Sequence, residues 1–229
     1  MSTVAEHRAT TGRTSGGGSS VRTRSTEPEG TLRRRPVQQR STERVTRMLD
    51  ACAALLDEIG YTRLTTTLIA QRAEVAIGSI YQFFGDKRAV VRALGMRHLD
   101  TFFTRVEAHI AAEPPRQWWD IVDTVIDEYI EMHRTEPGFR TLHFGDIVDV
   151  HLLDDSRSNN DVLAARLAEL LDEHFGLPMA PPTGLAVMVA VETGDALVKL
   201  AFRKDPDGDD EILAQAKVII RDYLSKVVG

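Results

Sequence analysis

Between Thr66 and Lys87 the chain carries a set of side chains suited to holding a nucleic acid: Thr66, Ile77, Ser79, Tyr81, Gln82 and Lys87, with Gly78 among them. Thr66 and Lys87 each open a helical pattern, where unpaired backbone N–H groups and a hydroxyl or ammonium favour a phosphate oxygen, and the Tyr81 phenol adds a further donor. Gln82 has the fork of donor and acceptor that pairs with an adenine edge, and Ile77 offers an apolar surface to a thymine methyl. Nothing in this set is a nucleophile with its base, so the chemistry is recognition.

Two short helices must position these groups. The first reads Thr66 to Ala73, with Leu68, Ile69 and Ala73 facing a core and Thr65, Thr66 and Thr67 supplying capping hydroxyls. Glu74, Val75 and Ala76 make the turn. The second reads Ile77 to Phe84, with Ile80 and Phe84 four apart on the buried side. Gly78, Ser79 and Gln82 are left outside and Tyr81 lies at the flank. Two helices joined by a tight turn, the second short and polar outside, is the geometry that lays a helix in the DNA major groove.

In this stretch the chain resembles the tetracycline-repressor (TetR) family of bacterial transcription regulators. The residues that carry the resemblance are Thr65-Thr66-Thr67, Ile69-Ala70, Val75, Gly78-Ser79-Ile80-Tyr81, Phe84 and Lys87, and it extends over about residues 41–102. Glu74 stands where the family usually has Gly, and Ala76 where it usually has a capping Ser or Thr. The resemblance implies that Thr67, Ile77, Gly78, Ser79 and Gln82 meet base edges while Thr66, Tyr81 and Lys87 hold phosphates. It also implies a homodimer, paired through the last two long helices, on a palindromic operator of double-stranded DNA. A small-molecule effector is expected in the helical body. Some family members have N-terminal arms that reach DNA, which gives Arg33, Arg34 and Arg35 the same expectation. Repressor action released by a ligand is the leading reading; activation, or control by a protein partner, is the alternative within the family.

Outside this stretch no signature of covalent or nucleotide chemistry occurs: no G-x-S-x-G, phosphate-binding loop, G-x-G-x-x-G or H-E-x-x-H. An enzyme or storage protein with a vestigial head is therefore disfavoured, and no cofactor is expected. His133, His143 and His151, with Asp146 and Asp149, are metal-ligand types at a spacing that matches no metal motif. No metal site is assigned to them. An effector pocket is expected from Trp118, Trp119, Tyr129, Met132, Phe139, Phe144 and Leu152, with His133, Arg140 and His143 as polar contacts.

The 229 residues are 42% hydrophobic, with apolar positions recurring at three and four residues and no alternating runs, so an all-α fold is expected. It should comprise an N-terminal three-helix helix-turn-helix DNA-binding domain (41–86) and a larger helical ligand-binding and dimerisation domain (87–229). Residues 1–40, with eight Arg against three Glu, read as a disordered basic arm. The first helix should start near Ser41 and end at Gly60. Others are expected over 87–112, 116–134, 139–153 (one or two, kinked near Gly145), 160–175, 183–203 and 209–228. Small residues such as Ala190 and Gly194 let another helix approach closely, which fits the dimer pairing that the resemblance implies, although an ordinary core helix shows the same pattern. The window 33–97 holds 12 basic and 6 acidic residues and 98–229 holds 12 against 25, a basic front and an acidic body. No apolar run is long enough to cross a membrane, no secretory signal is visible, and the lone Cys52 allows no internal disulfide, so a cytoplasmic location with no membrane partner is expected.

Overall fold

A computed structural model describes residues 34–144, 159–177 and 181–228. Among them the chain forms nine helices: α1 (Arg34–Arg63), α2 (Thr66–Arg72), α3 (Ile77–Phe83), α4 (Lys87–Ala112), α5 (Trp118–Thr135), α6 (Phe139–Phe144), α7 (Asn159–Phe175), α8 (Thr183–Lys204) and α9 (Asp210–Val228). No strand occurs among the described residues, so the fold is all-α.

The first helix differs from expectation at its start. It begins at Arg34 rather than near Ser41, so residues 34–40 are helical and not a disordered arm. Pro36 is only the third residue of α1, where the backbone N–H it lacks would have no acceptor inside the helix. Gly60, at φ 71° and ψ 166°, breaks the helical course where the sequence reading ended it, and one further turn reaches Arg63. Residues 1–33, Arg33 included, lie outside the described residues, as does the expected continuation of α6 through 145–153.

The helix starts follow their caps. The Thr65 hydroxyl accepts from Leu68 N–H at 3.2 Å, the Asp86 carboxylate from Ala89 N–H at 2.8 Å, and Asp209 from Ile212 N–H at 3.1 Å. Asp120 in the first turn of α5 reaches back to Gln117 N–H at 3.1 Å. Between α8 and α9 the Asp205 carboxylate accepts from Asp207 N–H at 2.8 Å, closing the turn by a side-chain bond to the chain two residues on.

Two apolar clusters organise residues 39–228. The first gathers Met48, Cys52 and Leu56 of α1, Ile69 of α2, Ile80 of α3 and Val90, Val91 and Leu94 of α4. Cys52 is fully buried and burial pushes its thiol up to about 12, so it is a core residue with no thiolate character. Leu142 of α6 also belongs to this cluster. The second draws on α4, α5, α7, α8 and α9. Each fully buried Leu or Ile contributes about 1.5–3 kcal/mol. Gly138, just before α6, lets the two clusters share a wall: its N–H donates to Asp57 of α1 at 2.7 Å, and a Cβ there would lie 2.9 Å from the Ala53 Cα.

Candidate nucleic-acid interface and effector cavity

The expected recognition residues come together on one exposed face. Thr67, Ile77, Gly78, Tyr81 and Gln82 are exposed, while Thr66 and Ser79 are half-buried. Tyr81 is 58% exposed and its hydroxyl lies 3.3 Å from that of Thr66, so the phenol and the first turn of α2 present their oxygens side by side. Nothing lies within 4 Å of where a Cβ on Gly78 would be, which leaves the start of α3 open to close approach. Buried Ile80 fixes the opposite side of α3.

The two departures noted in the sequence have visible consequences. Glu74 sits at φ 53°, the left-handed region where a Cβ is costly, so this turn asks for the glycine it lacks. Ala76 caps α3 with no side-chain hydrogen bond. Other groups hold the turn. Val75 N–H donates to the Ala70 carbonyl at 3.0 Å, and Arg47 of α1 donates to the Ala73 carbonyl at 3.4 Å. Arg72 of α2 pairs with Glu58 of α1 through two bonds of 2.8 and 2.6 Å. This clamp holds the Glu58 carboxyl below its ordinary range. Arg47 and the Arg72–Glu58 pair were not singled out from sequence, because their partners are distant along the chain.

Lys87 is more committed than its position suggested. Its ammonium donates to the Tyr61 carbonyl at 3.2 Å and lies 4.2 Å from the centre of the Tyr61 ring. It therefore ties the end of α1 to the start of α4. Arg34 and Arg35 fall in the first turn of α1.

In the body the structure gathers a different pocket from the one expected. A narrow cavity of about 40 Å³ lies among α5, α7, α8 and α9, walled by residues such as Val122, Ile126, Leu163, Val191 and Ile220. Of the predicted set only Tyr129 lines it, joined by Asp195. The Tyr129 hydroxyl donates to the Asp195 carboxylate at 2.6 Å, and Lys199 donates to the other carboxylate oxygen at 2.6 Å. Burial, reinforced by Asp195, pushes the phenol well above its ordinary pKa. Asn160 of α7 approaches both Glu192 (3.0 Å) and Asp195 (3.4 Å).

The remaining predicted pocket residues do other work. Met132, His133 and Phe139 are packed core. The His133 ring stacks on Phe202 at 4.9 Å and meets Phe139 edge-on at 4.9 Å, which closes the space a ligand would need. Arg140 donates to the His133 carbonyl and lies over the Phe202 ring. Trp118 and Trp119 pack on each other at 5.8 Å, with Arg221 over Trp119. The side chains of His143 and Phe144 lie outside the described residues, as do Asp146, Asp149, His151 and Leu152. No cluster of metal-ligand side chains occurs among the described residues. A larger groove of about 830 Å³ follows the α4–α5 connection, but Glu113, Asp120, Asp123 and Asp127 make its lining acidic rather than apolar. A sequence signal beside this cavity is the i, i+4 pair Asp195–Lys199, set among Val191, Gly194 and Val198.

Several small residues of α8 turn inward. Ala186, Ala190 and Ala201 are buried, and a Cβ on Gly194 would meet the Ile220 side chain of α9 at 3.1 Å. Gly194 thus packs α8 on α9 within the chain. The exposed apolar face lies elsewhere, on Leu185, Met188, Val189 and Leu200 of α8 and Val218 and Ile219 of α9.

Comparison with known proteins now bears on this arrangement. Residues 48–94 match the model of the bacterial regulatory proteins of the tetR family, and 116–228 match a tetracyclin repressor-like C-terminal domain. A TetR-family transcriptional regulator of Streptomyces coelicolor, of known structure, is 43% identical, with 99% of its chain and 81% of this one covered at a TM-score of 0.69. The chain belongs to the TetR family. It is a transcriptional regulator of that family, not an enzyme. A helix-turn-helix transcriptional regulator of Mycobacterium tuberculosis is 34% identical over 84 residues, 35% of this chain and 43% of that protein. The repressor KstR of Mycolicibacterium smegmatis is 37% identical over 67 residues, 29% of this chain and 30% of that protein. The match thus spans less than half the length of these curated relatives. The fatty acid degradation regulator FadR of Bacillus halodurans, at 18% identity and a TM-score of 0.58, shares the fold. No described helix is long and apolar enough to cross a membrane.

Proposed function

We propose that this TetR-family regulator is a homodimeric repressor that binds a palindromic operator and leaves it when a small molecule enters the body. The observation that carries the reading is the α2–α3 face. Thr67, Ile77, Gly78, Ser79 and Gln82 are offered to base edges, flanked by the Thr66–Tyr81 hydroxyl pair and by Lys87 for the phosphate backbone. The resemblance to KstR, named a repressor, favours repression over activation. The test is binding to the intergenic DNA beside its own gene at moderate salt. A regulator of this kind selects one site there over bulk DNA; binding no tighter than to bulk DNA refutes the reading.

Two further parts complete the proposal. The exposed apolar residues of α8 and α9, Leu185, Met188, Val189, Leu200, Val218 and Ile219, are the surface proposed to seat a second copy, and a two-fold dimer places two half-sites on one face of the duplex. Leu185→Glu combined with Val218→Asp should give a monomer by light scattering and weaken operator binding; a variant that stays dimeric moves the interface. Arg33, Arg34 and Arg35 are proposed to supplement the head with phosphate or minor-groove contacts. If they do, deleting residues 1–35 flattens the salt dependence of log K by up to about 2.7, at 0.9 per phosphate neutralised. An unchanged slope shows the arm to be idle.

A further inference from the structure

Helix α6 has only six residues, too few to hold its direction alone, so its orientation is set by what grips it. Two different parts of the molecule do so. On one side Phe139 packs against His98 of α4 at 5.4 Å and His133 of α5 at 4.9 Å, and Arg140 donates to the His133 carbonyl and lies over Phe202 of α8. On the other side Leu142 is buried in the apolar cluster of the DNA-reading head, with Leu56, Ile69 and Ile80.

The start of α6 is completed from α1. Gly138 stands at the N-cap position, and its carbonyl accepts the Leu142 N–H at 3.1 Å. In a self-contained helix start the third helical residue reaches back to the N-cap N–H. Here that residue is Thr141, whose hydroxyl is turned to α1, 3.4 Å from both the Leu56 carbonyl and one Asp57 carboxylate oxygen. The N-cap N–H goes instead to the other Asp57 oxygen, at 2.7 Å. Gly138 is buried, so without Asp57 this N–H loses its acceptor away from water. A carboxylate at a helix start is also favoured by the helix dipole. Asp57 itself is exposed and takes no part in the apolar core of the head.

We infer that Asp57 is a positioning residue for DNA recognition: by capping α6 from α1 it fixes the angle at which the helix-turn-helix is carried on the body. This rests on the reading of a dimer whose two heads engage one operator. Two half-sites are read together only if both heads hold their angle, and a head free to swing must give up that freedom on binding. Bulk DNA asks for no such alignment. Charge alone argues the opposite way, since removing an acid from a DNA-binding chain favours the phosphates. The sign of the effect therefore separates positioning from electrostatics.

The experiment uses the full chain, the intergenic DNA beside its own gene and bulk DNA, at a temperature where the melting curve of every variant shows it folded. Asp57→Ala should weaken binding to the selected site by about tenfold and leave binding to bulk DNA within about twofold. Asp57→Asn loses the same charge but keeps an oxygen for the Gly138 N–H and offers its own N–H to the Thr141 hydroxyl, so it should restore the original affinity to within about twofold. Without DNA, hydrogen exchange in Asp57→Ala should quicken at Gly138 and Leu142 and stay unchanged in α8 and α9. The inference is overturned if Asp57→Ala binds the selected site as tightly as the unaltered chain or more tightly, even with a lower melting temperature, since Asp57 would then serve stability alone. It is overturned as well if Asp57→Asn is as weak as Asp57→Ala, or if exchange at Gly138 and Leu142 does not change. An unaltered chain that selects no site in the intergenic DNA refutes the operator reading instead, and takes the DNA role of Asp57 with it.

Discussion

Replacing Gly138 by alanine tests the junction between the α5–α6 corner and the DNA-reading head. Two costs are written in the geometry. Gly138 has φ 74°, where any residue with a Cβ is strained by about 1–2 kcal/mol. The new Cβ would also lie 2.9 Å from the Ala53 Cα, 3.1 Å from its carbonyl oxygen and 3.2 Å from its Cβ. These are atoms of the α1 backbone and its first side-chain carbon, which cannot rotate away, so overpacking adds about 1–3 kcal/mol. The lower entropy of the unfolded alanine chain offsets about 0.4–1 kcal/mol. The net loss is about 2–4 kcal/mol.

Gly176 supplies the control. Its φ of 61° imposes the same backbone strain, but nothing lies within 4 Å of its Cβ position. Gly176→Ala should therefore cost only about 0.5–1 kcal/mol. In urea melts the two variants should differ in midpoint with equal slopes. In thermal melts Gly138→Ala should fall about 4–16 °C and Gly176→Ala about 1–4 °C, at 2–4 °C per kcal/mol for a chain of this size. Equal losses would mean that the contact between Gly138 and Ala53 is not what fixes the corner, and the packing argument would fail.

Glu74→Gly should raise stability by about 0.5–1 kcal/mol by relieving the φ 53° strain, and should strengthen DNA binding most at low salt by removing a negative charge near the phosphates; chemical denaturation and a salt titration check the two effects. Burial lowers both His98 and His133 from 6.5 to about 4. Below pH 6.5 the unfolded chain takes up protons that the folded chain refuses, so stability is full above 6.5 and is lost as pH falls toward 4, by on the order of 2–3 kcal/mol for each ring. His98→Phe should flatten that loss in urea melts run across the window, and an unchanged profile would place the titration elsewhere. Lys87→Ala should weaken binding to operator and bulk DNA alike, whereas Gln82→Ala should lower the preference for operator; equal loss of preference from both in competition binding would undo this division between phosphate and base contacts.

The helix-turn-helix was legible because its constraints are local. Thr65 caps a helix whose first apolar residue is three positions on, Ile80 and Phe84 are one turn apart, and Asp86 precedes the helix it starts. Each signal lies within a few residues of its effect. The start of α1 departs from the expected Ser41 because a proline at the third helical position gives up no hydrogen bond inside the helix, so Pro36 does not stop α1 from beginning at Arg34.

The cavity among α5, α7, α8 and α9 was legible in only one of its lining residues, and the reason is physical. Aromatic and polar side chains in one stretch of sequence, from Trp118 to His143, suggested a lining, yet neighbours along a helix point to different sides of it. His133 and Phe139 fill a core with Phe202, 63 residues or more further on, and so exclude ligand instead of greeting it. The cavity forms where four helices fail to fill the space between them. Its position depends on which small residue of α8 faces which side chain of α9, as Gly194 faces Ile220, and no local pattern encodes that pairing. What the sequence does carry is the cost of burying charge. A buried carboxylate needs partners, and on α8 Asp195 has Lys199 one turn away among Val191, Gly194 and Val198. An ion pair on the inward face of an apolar helix adds little stability by itself, since desolvation opposes the Coulombic gain. What it does is tie elements together: Asp195 accepts from Tyr129 of α5 and from Lys199 one turn on, and Asn160 of α7 approaches it at 3.4 Å.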